Sequence, residues 1–506
     1  MTRERAPRPT SQRSPRAIEA SMTTHVEFWL NDRRVITDVP DGMLVLDYLR
    51  KDRLLTGTKE GCKEGDCGAC SILIGEVVEG VMRYQPVTSC LTPVGEMHGK
   101  HVVSIEGLNL PGKLNPVQQA MVDRVGSQCG FCTPGFIVSM CWYMMAARET
   151  PTLEGFQRAF SGNLCRCTGY AAINRASLDL VENFGPGGQW ESIWQADDRL
   201  GALMEAGLLP GYFAEMPKRL EAIGDLEEVP RDDADVIDFF VAGGTDLYVQ
   251  KGELLPRAQV KILNRHPEMK GIRKEGDTLH IGALTTFEEF GASEDVVAFI
   301  PQIQDYLHLI ASLPLRNRAT IAGNIINASP IGDMTAIMLA LDTTLVFARG
   351  ETTREVELKR FYKGYKTFDK HPAEVMTEMV LKVPAAGTGV YFEKVSKRRC
   401  LDIATVNSAA KLRISDEGVV EEASLTLGGV AATPLWLEKT GEFLNGEVLT
   451  DALWREALRI AHTEMSPISD VRGSADYKRL LATQLLTAHV VKAAPERVSL
   501  DAMLAI

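Results

Sequence analysis

The sequence predicts a multidomain α+β chain, and three observations carry that prediction. Its 506 residues are more than one core organises, at about 100–200 residues per domain. Nine of its ten cysteines fall between Cys62 and Cys167, so one stretch has chemistry the rest lacks. The apolar pattern also changes along the chain, from short alternation to helical spacing, then to a mixture, then to long alternating strands.

Residues 1–22 hold Arg3, Arg5, Arg8, Arg13 and Arg16 among Pro and Ser, without an apolar run. They read as a disordered tail, or as sequence upstream of a start at Met22, and not as a secretory signal. Residues 23–107 form the first unit. Val26, Phe28 and Leu30 alternate, Asn31-Asp32 can turn, and Val35, Thr37 and Val39 alternate again, which is a β-hairpin. Leu44, Val45, Tyr48 and Leu49 then recur at helical spacing. Two strands, a helix, a cysteine-rich loop and more strands describe a β-grasp, ferredoxin-like domain. Residues 108–184 are helical. Asn115-Pro116 starts one helix, Ile137 to Met145 supplies a second, and Leu153, Phe156 and Phe160 a third. Gly185-Pro186-Gly187-Gly188 opens a linker over 185–211. Residues 212–386 mix strands at Lys261–Leu263 and Leu279–Ile281 with a helix over Ile331–Leu341. Residues 387–506 read as strands over 405–413 and 419–428, then helices over 447–463 and 475–491.

The hydrophobic fraction of 45% and charged fraction of 24% are ordinary for globular protein. A net charge of −12 argues against nucleic acid as a partner, because phosphate binding needs a cationic surface. The most apolar long stretch, Phe136 to Ala147, is too short to cross ~30 Å of hydrocarbon, so no membrane span is expected. One dense cysteine block in a large chain reads as a metal protein in a reducing, cytoplasmic compartment.

Cys62, Cys67 and Cys70 share one loop, and Cys90 lies on a later segment. That is the plant-type [2Fe–2S] arrangement. Gly61, Gly65, Gly68 and Ala69 let the loop wrap closely and aim N–H groups at negatively charged sulfur. Zinc sites more often show two Cys-x-x-Cys-like pairs. Cys129, Cys132, Cys165 and Cys167 form a second set. Alone it suits zinc or iron–sulfur; beside the first set, a second [2Fe–2S] cluster is the better reading. Cys141 and Cys400 are left without a role, and His98 and His101 read as solvated.

The strings Glu60–Cys70, Gln128–Gly135 and Gly162–Tyr170 closely resemble the iron–sulfur module of the xanthine oxidase family of molybdenum hydroxylases. The resemblance implies that both sets hold [2Fe–2S] clusters. It places the helical-domain cluster nearest the molybdenum cofactor and the β-grasp cluster nearer a flavin. Gln128 would touch the pterin across a subunit interface.

The flavin reading starts from two loops. Val241-Ala242-Gly243-Gly244-Thr245-Asp246 follows an apolar strand that includes Phe239 and Phe240, and Thr320-Ile321-Ala322-Gly323-Asn324 leads to Asp333. Adjacent glycines let N–H groups reach a pyrophosphate, although Gly-Gly after a strand is more often a plain turn. No G-x-G-x-x-G fingerprint follows a strand. Both loops are similar to FAD-binding segments of the same family. The resemblance implies FAD on Phe239–Asp246, Thr320–Asn324, Asp333 and Lys394, in a PCMH-like FAD-binding domain followed by a CO dehydrogenase flavoprotein-like C-terminal domain. Lys394 otherwise reads as part of a solvated basic run, and Ile310 stands where an aromatic residue often flanks the flavin.

The implied activity is oxidation of hypoxanthine and xanthine to urate, the xanthine dehydrogenase reaction. The hydroxylation would occur at molybdopterin in a large partner subunit, within an α2β2 heterotetramer. Electrons would pass through both clusters and FAD to NAD, and no residue of this chain would be a catalytic acid or base. Three other readings stay open: a related aldehyde or N-heterocycle hydroxylase; an acceptor such as oxygen, a quinone or a ferredoxin; and a zinc-stabilised scaffold without redox activity.

Overall fold

The computed structural model describes residues 25–226 and 237–499; the expected tail over 1–22 lies outside them. The hairpin forms as its alternation requires. Strands β1 (Val26–Leu30) and β2 (Arg33–Thr37) pair antiparallel about Asn31, which takes a positive φ of 53°. With β3 (Ser71–Val78), β4 (Val81–Thr88) and β5 (His101–Val103) they make one sheet, ordered β2-β1-β5-β3-β4. β1 and β5 are parallel. A short helical segment over residues 45–52 packs Val45, Tyr48 and Leu49 onto this sheet. The result is a β-grasp. Its cysteine loop feeds directly into β3, and Cys90 sits in the turn that leaves β4.

The helical unit contains Pro116–Asp123, Thr133–Ala146, Leu153–Ala159 and Ala171–Phe184. Asn115 and Gln118 close a reciprocal capping box on the first helix, which fixes its start. Thr133–Ala146 is apolar on nearly every face, and a helix of that kind must be buried all round. It lies inside the helical core and against β3 and β4, where Trp142 Nε1 donates to Tyr84 O at 2.9 Å.

Three expectations are corrected here. Residues 185–211 are not a loose linker. They contain helices Glu191–Trp194 and Arg199–Glu205, and Trp194, Leu203 and Leu209 join the helical core. The glycines at 185–188 break one helix, but the apolar side chains beyond them still have to be covered. The chain then runs through Gly211–Glu221 over the β-grasp sheet, so residues 212–221 pack with the first two units rather than opening the third. His101 is not solvated either. It is fully buried against Tyr212 and Phe213, and its ring contacts Tyr84 Oη at 2.7 Å and Asn31 O at 3.0 Å. His98 is half-buried, with contacts to the Glu27 N–H and Gly224 O.

The third unit pairs β6 (Phe239–Val241) with β7 (Val260–Ile262) in parallel. Its main sheet comprises β8 (Ile272–Glu275), β9 (Thr278–Gly282), β10 (Thr344–Arg349) and β11 (Thr352–Glu357). After a small hairpin, β12 (Tyr362–Gly364) and β13 (Thr367–Phe368), strand β14 (Val375–Lys382) completes it in the order β11-β10-β14-β9-β8. The helix expected over Ile331–Leu341 is Asp333–Ala340. The last unit is a meander of β15 (Gly389–Val395), β16 (Val406–Ile414), β17 (Val420–Gly428) and β18 (Leu435–Trp436). Helices Asp451–Glu464 and Ala475–Ala493 cover it.

Polar groups hold the third unit to the β-grasp. Arg318 reaches Glu96 at 2.8 Å, with the two side chains only 5% and 2% exposed, and also donates to Gly243 O at 2.8 Å. Arg265 pairs with Asp41 and donates to Gly95 O. Tyr248 Oη donates to Gly42 O, and Asn317 to Pro86 O.

Removing one member of a buried pair strands the other charge, at a cost of about 3–5 kcal/mol, whereas an apolar replacement of both is often neutral. Arg318→Met should therefore lower the urea midpoint sharply, and Arg318→Met with Glu96→Leu should recover much of the loss. A double variant as unstable as the single one would contradict this account. Burial depresses the His101 pKa to about 3, so the ring is neutral when folded and protonates when unfolded. Its contribution is intact above pH 6.5 and is lost as the pH falls toward 3, at up to about 1.4 kcal/mol per unit. His101→Gln should flatten the acid limb of a urea-midpoint titration.

Candidate redox centres

The first cysteine loop is closed by its own backbone. Lys59 N donates to Ala69 O at 3.0 Å, and Ser71 N to Gly68 O at 3.1 Å. Ser89 Oγ donates to Cys70 O at 2.7 Å, drawing the Cys90 turn onto the loop. The four thiols then stand as two interacting pairs, Cys62 with Cys67 and Cys70 with Cys90. N–H groups of Glu64, Cys67 and Asp66 point at the Cys62 sulfur, and that of Gly65 points at Cys90. This is the N–H wrapping expected of the small-residue loop. Within each pair the proton is shared unequally. Cys67 donates to Cys62, bringing Cys62 down to about 5, while its own pKa rises. Cys70 is lowered by its bond from Cys90, and Cys90 is raised.

The second set is arranged alike. Cys129 and Cys132 precede the buried helix Thr133–Ala146, and Cys165 and Cys167 lie in the loop before Ala171–Phe184. Cys167 meets Cys129 at 3.6 Å, and Cys132 pairs with Cys165. Burial, then Cys165, pushes the Cys132 thiol up to about 12. Cys165 N donates to Tyr170 Oη at 3.1 Å, and Thr168 Oγ1 is 3.1 Å from Cys165 Sγ. Cys129, Cys167 and Gln128 are exposed.

The pairing tests which metal fits. Mononuclear zinc needs four ligands converging on one point. Among the described residues no three His, Cys, Asp or Glu side chains converge in that way. A [2Fe–2S] cluster takes two ligands on each of two irons, so two pairs of thiols suit it at both sites.

The two sites touch through backbone. Leu164 N, one residue before Cys165, donates to Cys67 O at 3.0 Å. On the other side of the first site, a Cβ on Gly65 would meet Leu315 at 2.6 Å, and one on Gly244 would lie 3.4 Å from Leu91 O. Cys90 precedes Leu91, so the first site lies between the helical unit and the glycine loop of the third. Sequence reasoning missed Asn163, Ser139 and Ser89, whose hydrogen bonds organise these loops. Asn163 falls inside the Gly162–Tyr170 string, but nothing in the sequence shows that its side chain crosses between units.

The expected flavin residues also come together. Phe239, Phe240 and Val241 form β6, and Ala242–Asp246 make the loop that follows. The N–H groups of Gly243, Gly244, Thr245 and Asp246 have no acceptor among the described residues, which leaves a run of donors suited to phosphate. Gly243 packs so closely on the second segment that a Cβ would stand 1.9 Å from Arg318 O. Thr320 Oγ1 caps helix Ile321–Asn327 by accepting from Gly323 N at 3.0 Å. Ala322 is buried behind it. Asn324 Oδ1 accepts from Thr335 N at 3.0 Å and Thr335 Oγ1 at 2.9 Å, tying this segment to the helix that Asp333 begins. Asp333 accepts from Lys394 at 2.7 Å and from Asn407 at 2.6 Å.

The Lys394 side chain is 2% exposed and is no part of a solvated run, unlike Lys397, Arg398 and Arg399. Asn407 Oδ1 is buried without a partner, packed against Gly428. Burial raises the Asp246 carboxyl, with Lys366 opposing it. The donor run and the lysine–carboxylate pair fit a dinucleotide flavin. Ile310 is buried in the core and offers no stacking face.

Four family models match the chain in sequence: a 2Fe-2S iron-sulfur cluster binding domain over 28–95, a [2Fe-2S] binding domain over 104–178, an FAD binding domain in molybdopterin dehydrogenase over 220–385, and a CO dehydrogenase flavoprotein C-terminal domain over 391–493. The chain is 29% identical to xanthine dehydrogenase of Drosophila pseudoobscura pseudoobscura, over 92% of this chain and 39% of that protein. It is 29% identical to xanthine dehydrogenase/oxidase of Mus musculus, over 84% and 36%. It thus spans about two-fifths of the length of these relatives. Among solved structures, CO dehydrogenase from Oligotropha carboxidovorans is 32% identical over 51% of this chain and 91% of that one, with a TM-score of 0.49. Quinoline 2-oxidoreductase from Pseudomonas putida 86 is 27% identical over 52% and 91%, with a TM-score of 0.46. With its two 2Fe–2S domains, FAD-binding domain and flavoprotein C-terminal domain in this order, the chain belongs to the molybdenum hydroxylase family, as its iron–sulfur and flavin part.

Proposed function

We propose that this chain is the electron-transfer part of a xanthine dehydrogenase, oxidising hypoxanthine and xanthine to urate with a molybdopterin-bearing partner subunit. Cys62, Cys67, Cys70 and Cys90 hold one [2Fe–2S] cluster, and Cys129, Cys132, Cys165 and Cys167 the other. FAD lies on Phe239–Asp246, Thr320–Asn324, Asp333 and Lys394. When bound, these groups carry electrons from the partner's molybdenum cofactor to NAD.

The observation that carries this reading is the order of the sites through the molecule. The second cysteine set opens on the surface at Cys129 and Cys167, beside exposed Phe131 and Leu164. It then joins the first set through Leu164 N and Cys67 O. The first set reaches the glycine loop through Leu91 and Gly244. An exposed entrance, two sulfur sites and a donor-lined loop follow one another, as a relay between a docked partner and a soluble acceptor requires.

The residues' work is positional and electrostatic. N–H groups aimed at sulfur stabilise negative charge. The Lys394–Asp333 pair fixes a cation in a dry site, where it acts strongly on any group that gains charge. Xanthine is favoured by the names of the aligned relatives, and NAD and an α2β2 assembly by the resemblance in sequence.

The protein purified under argon should contain about four irons and one FAD per chain, with two EPR signals after dithionite; zinc without iron would leave a scaffold instead. In the holoenzyme, Cys129→Ser should abolish flavin reduction by xanthine and spare dye reduction by NADH. Loss of both in FAD-loaded protein would reverse the proposed order. Lys394→Ala should lose FAD on gel filtration while keeping its iron.

A further inference from the structure

We propose that Asn163 is a positioning residue that sets the electronic coupling between the two iron–sulfur sites, by clamping the first cysteine loop onto the second. The inference rests on the reading of the eight cysteines as two clusters and goes beyond it.

Asn163 is 3% exposed and belongs to the helical unit, two residues before Cys165. Its Nδ2 donates across the unit boundary to Gly68 O at 3.1 Å, between Cys67 and Cys70. Its Oδ1 accepts from Ser139 Oγ at 2.8 Å, on the buried helix that follows Cys132. Its own N–H donates to Phe160 O at 2.8 Å. One side chain therefore ties the first loop to both halves of the second site.

The backbones around it pack too closely to admit side chains. A Cβ on Gly135 would stand 2.1 Å from Gly68 O, and one on Gly68 2.4 Å from Asn163 Nδ2. Gly68 itself has a φ of +65°, so a side chain there would be strained as well as crowded. Beside this clamp, Leu164 N donates to Cys67 O, and that bond joins a residue flanking one site to a ligand of the other. The bond survives only while the loops stay in register. Asn163 spans the same two loops one residue away, and its amide cannot be mimicked by an apolar side chain of similar size.

The clamp contacts neither cluster's ligand sulfurs, so its loss should change how the clusters sense each other rather than whether each forms. The test uses the full chain in its holoenzyme, reduced with dithionite. At low temperature, two neighbouring paramagnetic clusters split each other's EPR lines. Asn163→Leu should retain iron and both sets of g-values but lose that splitting, and electron redistribution between the clusters after rapid partial reduction should slow. Asn163→Gln, which keeps the amide on a longer stem, should restore part of the splitting. Iron-replete Asn163→Leu protein with wild-type splitting and redistribution would overturn the proposal. If Asn163→Leu fails to load a cluster, Ser139→Ala decides, because it frees Asn163 from its helix partner and leaves both ligand loops intact. Reduced splitting in Ser139→Ala supports the clamp, and unchanged splitting overturns it. Fewer than about four irons in the unaltered protein would instead remove the two-cluster reading itself.

Discussion

The fold is organised around a contact that leaves no room for a side chain. The Gly68 carbonyl in the first cysteine loop lies against Gly135 and the Asn163 amide of the helical unit. Two loops that each present thiols must approach at backbone distance, so both must be made of small residues, and both must be pinned by larger structures behind them. The β-grasp sheet pins one and the all-round buried helix Thr133–Ala146 pins the other. The helices over 191–205 and the segment Gly211–Glu221 extend that support. The third unit closes on the same loops from the opposite side, at Leu315 and Gly244.

Much of this was legible in the sequence because it is local. The β1–β2 hairpin, the Asn115-Pro116 helix start and the long C-terminal strands all follow from periodicity and capping within a few residues. Seven of the eight cysteines are legible for the same reason: three share one loop and four lie in short, glycine-containing motifs, while Cys90 stands alone on a later segment. The flavin segments are weaker in isolation, because Gly243-Gly244 is only a turn until Arg318 and Thr320 are brought beside it. What sequence spacing does not encode is which loop faces which.

The misreadings come from the same source. Gly185-Pro186-Gly187-Gly188 interrupts the chain, but nothing local says that Trp194 and Leu203 will fold back into the preceding core. His101 lies in a turn-rich stretch, yet its strand pairs in parallel with β1 and is roofed by Tyr212 and Phe213. Each case depends on a partner distant in sequence.

The unequal burial of the two cysteine sets bears on biogenesis. Cys70 and Cys90 are each 2% exposed, at a junction where three units meet, whereas Cys129 and Cys167 remain open to solvent. Metal insertion is coupled to folding when the ligands are not preformed in the open chain. On the proposed assignment, a metal would meet the first set from its half-buried Cys62 and Cys67 side and the second set directly from solvent. On that assignment the outer site is the more readily filled, and the more readily stripped, once the chain has folded.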